Sequence, residues 1–166
     1  WWHSRFGRLE GDLQQLLCKA VAGALADAGL EAGEVDGIFV GVFGNGFQRQ
    51  RFEAGLVGMG LPDLAATSAV RVENACATGS AAIFAALDFV AAGRGRIAVA
   101  VGAEKMTATP AAEVSDILQS ASYVPEEGDI PAGFAGVFGR IAERYFQRHG
   151  DCSAELAMIA AKNHAN

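Results

Sequence analysis

Near the start of the chain the apolar positions recur at helical spacing. Leu13, Leu16, Leu17, Ala20, Val21, Ala24, Leu25 and Ala28 share one face, and Gly29 follows as a stop signal. The spacing predicts a helix from about Asp12 to Ala28. After a connection at Glu31 to Glu34, the period changes. Residues 35–43 (Val-Asp-Gly-Ile-Phe-Val-Gly-Val-Phe) read as a largely buried strand, and a glycine-rich turn follows at Gly44-Asn45-Gly46. A short helix is expected over Phe52 to Met59, then a strand over Thr67 to Glu73. Thr78 to Ala92 reads as a helix, apolar almost all round, which predicts burial on every side. Arg96 to Gly102 is a third strand, continuously apolar from Ile97. Strands alternating with helices predict an α/β sheet with helices on both faces.

The pattern breaks after Glu104. Residues 107–131 carry Pro110, Pro125 and Pro131 and an acidic turn at Glu126-Glu127-Gly128-Asp129, with no further clear strand. Phe134, Val137, Phe138, Ile141, Ala142 and Tyr145 then form an apolar helical stripe. A last helix starts near Asp151 or Ser153, both good N-caps, and carries Leu156, Ile159 and Ala160. The expected organisation is an α/β core over 1–104 and a mostly helical part over 105–166.

Composition narrows the function classes. The chain has 166 residues and is 51% hydrophobic, so it can bury a core. No apolar run reaches the ~18–20 residues that span a bilayer. A net charge of −6, with Arg49, Arg51, Arg94, Arg96, Arg140, Arg144 and Arg148 dispersed, argues against nucleic acid as a partner. Three cysteines without CxxC spacing fit a reducing compartment, expected to be the cytoplasm, better than a disulfide scaffold. The chain lacks an initiator methionine and stops inside a helical pattern, and it is expected to be an N-terminal piece of a longer protein.

Cys76 is the leading chemical candidate. A strand arrives at it through Glu73-Asn74-Ala75, and a helix of small residues leaves through Ala77-Thr78-Gly79-Ser80. A thiol at a helix N-terminus meets unpaired N–H groups that favour the reactive thiolate. Small neighbours admit a carbonyl, and the cysteine N–H can serve an oxyanion. The arrangement is analogous to the nucleophile elbow of hydrolases without its G-x-S-x-G spelling. The competing reading is a buried structural thiol. Cys18 fits a structural thiol. Cys152 follows His149 at a spacing that could suggest a metal pair, but two ligands make no zinc site, and no metal is expected. His3, His149 and His164 carry no local motif for a general base. Glu104-Lys105 reads as a charged pair closing the sheet edge.

The stretch Asn74-Ala75-Cys76-Ala77-Thr78-Gly79-Ser80-Ala81-Ala82 resembles the nucleophile motif of thiolases. Val101-Gly102-Ala103-Glu104-Lys105-Met106-Thr107 resembles the motif that follows it, and His3-Ser4-Arg5-Phe6-Gly7-Arg8 the family's N-terminal segment. Gly133 to Arg140 and Lys162-Asn163-His164 stand in family order, and the spelling is most similar to the sterol-carrier-protein type. The resemblance implies a layered αβαβα fold made of two similar halves with a helical loop domain, of which this chain would hold most of the first half and the start of the loop domain. It implies acyl transfer through an acyl-cysteine on Cys76, with coenzyme A and acyl-CoA as substrates, no covalently bound cofactor, and assembly as a homodimer or homotetramer. Thiolytic cleavage of a 3-ketoacyl-CoA and the reverse Claisen condensation are both compatible. The family's Gly-His-Pro and Cys-x-Gly motifs are absent from this chain, and the chain alone is expected to be inactive. Where relatives often carry His-Met-Gly near the pantetheine, this chain has Val137-Phe138-Gly139, which makes Val137 and Phe138 candidate substrate contacts. A ketoacyl-synthase-like condensing enzyme and a non-catalytic acyl-CoA-binding subunit are the alternatives.

Overall fold

Helix α1, Leu13–Ala28, begins where the sequence places it. The Asp12 carboxylate accepts from the Gln15 N–H at 2.9 Å, and the Gln15 side chain accepts from the Asp12 N–H at 2.9 Å. This reciprocal cap satisfies two N–H groups that helical geometry leaves unpaired. Gly29, at φ 65°, ends the helix in the left-handed region open to glycine. Leu13, Leu17, Val21 and Leu25 form its buried edge. These features come from a computed structural model that describes residues 1–5, 7–44 and 46–165. Phe6 of the N-terminal segment, Asn45 of the glycine-rich turn and Asn166 lie outside the described residues.

Among the described residues three strands form one parallel sheet in the order β2-β1-β3: β1 Gly37–Gly41, β2 Ser68–Val72 and β3 Ala98–Gly102. Phe39 sits opposite Val70 on one side and Ala100 on the other. Asp36 closes the sheet's entry edge by accepting from the Arg96 and Ile97 N–H groups at 2.7 and 3.1 Å. Those two donors hold its carboxyl below the ordinary aspartate range.

Alternation along β1 divides the unit. Ile38, Val40 and Val42 are buried with the Leu13–Leu25 edge of α1, with Leu56 and Val57 of helix α2 (Glu53–Gly60), and with Val99 and Val101 of β3. Gly37, Phe39 and Gly41 point the other way, toward helix α3 (Thr78–Ala91), where Phe39 and Phe89 meet edge to face at 5.6 Å. Helices therefore cover both faces, as the pattern predicts.

Within this chain helix α3 is covered on one side. Only Thr78, Ala82 and Ala86 are buried, while Ile83, Phe84, Leu87 and Val90 are exposed. Its composition is apolar all round, but this sheet covers one narrow stripe of it. On the same face of the sheet Val70 is also exposed.

The chain divides into two compact units, Trp1–Pro110 and Ala111–Asn166. Residues after Glu104 stay with the first unit because they are tied to its N-terminal segment. Arg8 donates to the Thr107 carbonyl at 3.2 Å, and Lys105 Nζ donates to the Leu9 carbonyl at 2.6 Å and to that of Gly11. The described part of Trp1–Gly11 contains no strand.

The second unit is helical: α4 Ala111–Gln119, α5 Val124–Glu127, α6 Gly133–His149 and α7 Ser153–Ala165. Helices α4 and α5 escape the sequence pattern because prolines crowd the segment. Pro110 in fact precedes α4 and Pro125 lies in the first turn of α5, where the missing N–H has no intrahelical partner to lose. Gln119 is buried and donates to the Glu127 carbonyl at 2.6 Å and to Ser122 Oγ at 3.0 Å, closing the α4–α5 turn. Among the described residues no helix is long and apolar enough to cross a membrane.

Candidate active site

Strand β2 ends at Val72, and Cys76 stands in a tight turn, Ala75–Ala77, that runs directly into α3 at Thr78. The Cys76 side chain is exposed within this chain. The turn is strained and clamped. Ala75 has φ 45°, a left-handed conformation that a residue with a Cβ adopts at a cost. In the hydrolase elbow the nucleophile itself takes the strained position; here the residue before it does. Thr78 Oγ1 donates to the Ala75 carbonyl at 2.7 Å and accepts from the Asn74 N–H at 2.8 Å. The Ala77 N–H donates to the Asn74 carbonyl at 2.9 Å, and the Ala75 N–H to the Glu73 carboxylate. Among the described residues the Cys76 N–H has no partner within the chain, which leaves it available to an oxyanion.

A charged cluster braces the loop after β1 at the same, C-terminal edge of the sheet. Arg71 Nη2 donates to the Val42 and Phe43 carbonyls at 2.9 and 2.8 Å, and Arg71 Nε lies 3.3 Å from the Glu53 carboxylate. Glu53 is 1% exposed. Glu104 Oε2 accepts from the Phe43 and Gly44 N–H groups at 2.9 and 3.3 Å, while its buried Oε1 has no partner among the described residues. Burial pushes the Glu104 carboxyl above the ordinary glutamate range; the two N–H donors oppose that rise, Glu53 adds to it and Arg71 opposes it. Glu104 and Lys105 are thus no mutual pair. The carboxylate holds the β1 loop and the ammonium holds the N-terminal segment.

The other candidates lie elsewhere. Cys18 Sγ contacts the Leu56 and Val57 carbonyls at 3.8 and 3.9 Å, and burial, then Asp12, push its thiol up. His3 stacks on Trp1 at 5.1 Å. A hollow of about 850 Å³ lined by Trp2, His3, Arg5, Leu16, Lys19 and Ala103 leaves Cys76 outside. His149, packed on Tyr145 at 4.5 Å, and the exposed His164 belong to the second unit, as does Cys152, whose thiol faces the Gly150 carbonyl at 3.5 Å. No group of acids, histidines and cysteines able to hold a metal occurs among the described residues. Val137 is half-buried on α6 and Phe138 is 56% exposed there, its ring against Phe134 at 5.2 Å. Sequence reasoning missed Glu53 and Arg71. No motif marks either residue, and only the β1–β2 register brings Arg71 beside the end of β1.

Comparison with known proteins identifies this framework. The family "Thiolase, N-terminal domain" matches residues 6–166. The acetyl-CoA acetyltransferase of Methanothermobacter thermautotrophicus is 30% identical over 98% of this chain and 42% of its own length. That of Methanocaldococcus jannaschii is 32% identical over 98% and 41%. Sterol carrier protein 2 of Bos taurus is 27% identical over 92% of this chain. The chain spans about two fifths of the length of the archaeal relatives it matches. Among solved structures, 3-oxoacyl-[acyl-carrier-protein] synthase III from Aquifex aeolicus superposes with a TM-score of 0.52 over 60% of this chain and 32% of its own, at 25% identity. With the parallel sheet, the cysteine turn and the matched residues in agreement, the chain belongs to the thiolase family and carries its N-terminal domain.

Proposed function

We propose that this chain is the N-terminal portion of a thiolase-type acyl-CoA acyltransferase in which Cys76 accepts the acyl group. One observation carries the reading: the exposed Cys76 on a strained turn between a parallel strand and a helix, with its own N–H unpaired among the described residues. In the degradative direction the Cys76 thiolate attacks the 3-keto carbonyl of a 3-ketoacyl-CoA. The bond between C2 and C3 then breaks, and the electron pair leaves on acetyl-CoA as an enolate, which takes up a proton. The thiol of a second coenzyme A attacks the acyl-cysteine and returns the thiolate, its own proton passing to a base. Claisen condensation is the same sequence reversed. Both directions develop an oxyanion, which the Cys76 N–H is suited to stabilise.

The bases for these proton transfers are assigned to residues outside this chain, so the 166 residues alone are inactive under this reading. Coenzyme A and its thioesters are the substrates, no covalently bound cofactor takes part, and the full-length protein assembles as a homodimer or homotetramer. Val137 and Phe138 are proposed to contact the pantetheine arm. The test is incubation of full-length protein with acetyl-CoA followed by peptide mass mapping. An acetyl group on Cys76, absent from Cys76→Ser, supports the reading; an unmodified Cys76 beside active turnover refutes it. The fold shared with the Aquifex synthase keeps a condensing enzyme as the second reading. Activity with an acyl-carrier-protein substrate and none with coenzyme A would favour it.

A further inference from the structure

The Thr78 side chain uses both of its branches. Its hydroxyl bonds two backbone groups of the Cys76 turn, on Ala75 and Asn74. Its methyl lies against β1: a Cβ placed on Gly41 would stand 3.1 Å from Thr78 Cγ2, 3.2 Å from the Thr78 carbonyl and 3.4 Å from the Ala82 methyl. Thr78 is 7% exposed, whereas the thiol beside it is open to solvent. The strained Ala75 has no glycine's freedom, so its φ of 45° persists only if its neighbours impose it.

We propose that Thr78 is the positioning residue of the Cys76 turn, with Gly41 as its seat on the sheet. The hydroxyl locks the carbonyl of the strained residue before the cysteine and the N–H of the residue before that. The methyl, set against the bare Cα of Gly41, fixes where the locked turn rests. Thr78 has no reacting atom of its own; it decides how the Cys76 thiol and N–H are presented. This rests on the reading of Cys76 as the acyl-accepting thiol for its consequence, but the lock can be measured without any acyl donor.

The experiment is iodoacetamide labelling of the full-length protein, followed residue by residue by peptide mass mapping, with Cys18 as internal reference. Thr78→Val keeps the shape and deletes the hydroxyl, and it is expected to slow Cys76 labelling roughly tenfold while Cys18 is unchanged. Thr78→Ser restores the hydroxyl and keeps the rate within roughly threefold of the parent. Gly41→Ala leaves the hydroxyl in place but displaces the methyl, and it slows Cys76 in the same selective way, which also covers the case of an unfolded Thr78→Val. A merely structural role has the opposite signature, with Cys18 uncovered and faster and Cys76 unchanged. That signature, or Cys76 labelling at the parental rate in both folded Thr78→Val and Gly41→Ala, overturns the proposal. Failure to find acyl-Cys76 with acetyl-CoA counts against the acyltransferase reading alone.

Discussion

Arg71 stands 3.3 Å from the Glu53 carboxylate and bonds the carbonyls of Val42 and Phe43, so one guanidinium neutralises a buried acid and pins the chain as it leaves β1. Removing the cation strands the acid. Arg71→Met is expected to destabilise the protein by about 3 kcal/mol, the lower end for stripping the counter-charge from a buried carboxylate, because part of the Arg71 side chain remains in water. Glu53→Gln with Arg71→Met removes both charges and recovers much of that loss. Denaturant midpoints of the single and double variants check this, and equal losses would show that Glu53 carries no uncompensated charge.

Glu104 gives a pH dependence of defined sign. Its carboxyl is raised by burial, so the folded state favours the protonated form more than the unfolded chain does. Its contribution to stability is complete below the ordinary glutamate range and is lost as pH rises through the raised folded value. Glu104→Gln, which cannot ionise, removes that slope. The stability difference, parent minus variant, should fall as pH climbs across that window. Urea titrations of both proteins over a pH series read it directly, and a difference that grows with pH would reverse the assignment.

The thiols should separate kinetically. Cys76 is exposed on its turn, whereas Cys18 is packed against α2 with its thiol pushed up. Iodoacetamide at neutral pH should label Cys76 at least about tenfold faster than Cys18 and Cys152 in the full-length protein. Equal rates at all three would remove the case for Cys76 as nucleophile.

Cys76→Ser should abolish acyl transfer yet change stability by no more than about 0.5 kcal/mol, as for an exposed position outside any packed cluster. Thermal unfolding alongside the acyl-adduct assay tests both halves.

Much of this was legible in the chain because local and global signals agree. The Leu13, Leu17, Val21, Leu25 spacing with Asp12 ahead and Gly29 behind needs no tertiary information to read as a capped amphipathic helix. The Cys76 turn was legible for the same reason: a β-favouring run meets a run of small residues. Where the sequence stopped short, the missing quantity was three-dimensional. Ile83, Phe84, Leu87 and Val90 show that an apolar residue does not state what covers it. Glu53 carries no signal in the sequence, because its partner Arg71 comes from another strand. The strain at Ala75 is invisible in an ordinary alanine; its φ of 45° reveals it, and the Thr78 bonds account for its persistence.

The alternation of β1 has a consequence for how this domain can change. Ile38, Val40 and Val42 commit one face to the packed interior, and the strand's end delivers its loop beside Arg71, Glu104 and the cysteine turn. Residues that hold the fold and residues that present the thiol thus draw on different atoms of the same strand. Side chains on the turn can be exchanged while the interior stays as it is. Gly41 is the exception, because it belongs to the strand and seats the turn, and it is where a change made for one purpose is felt by the other.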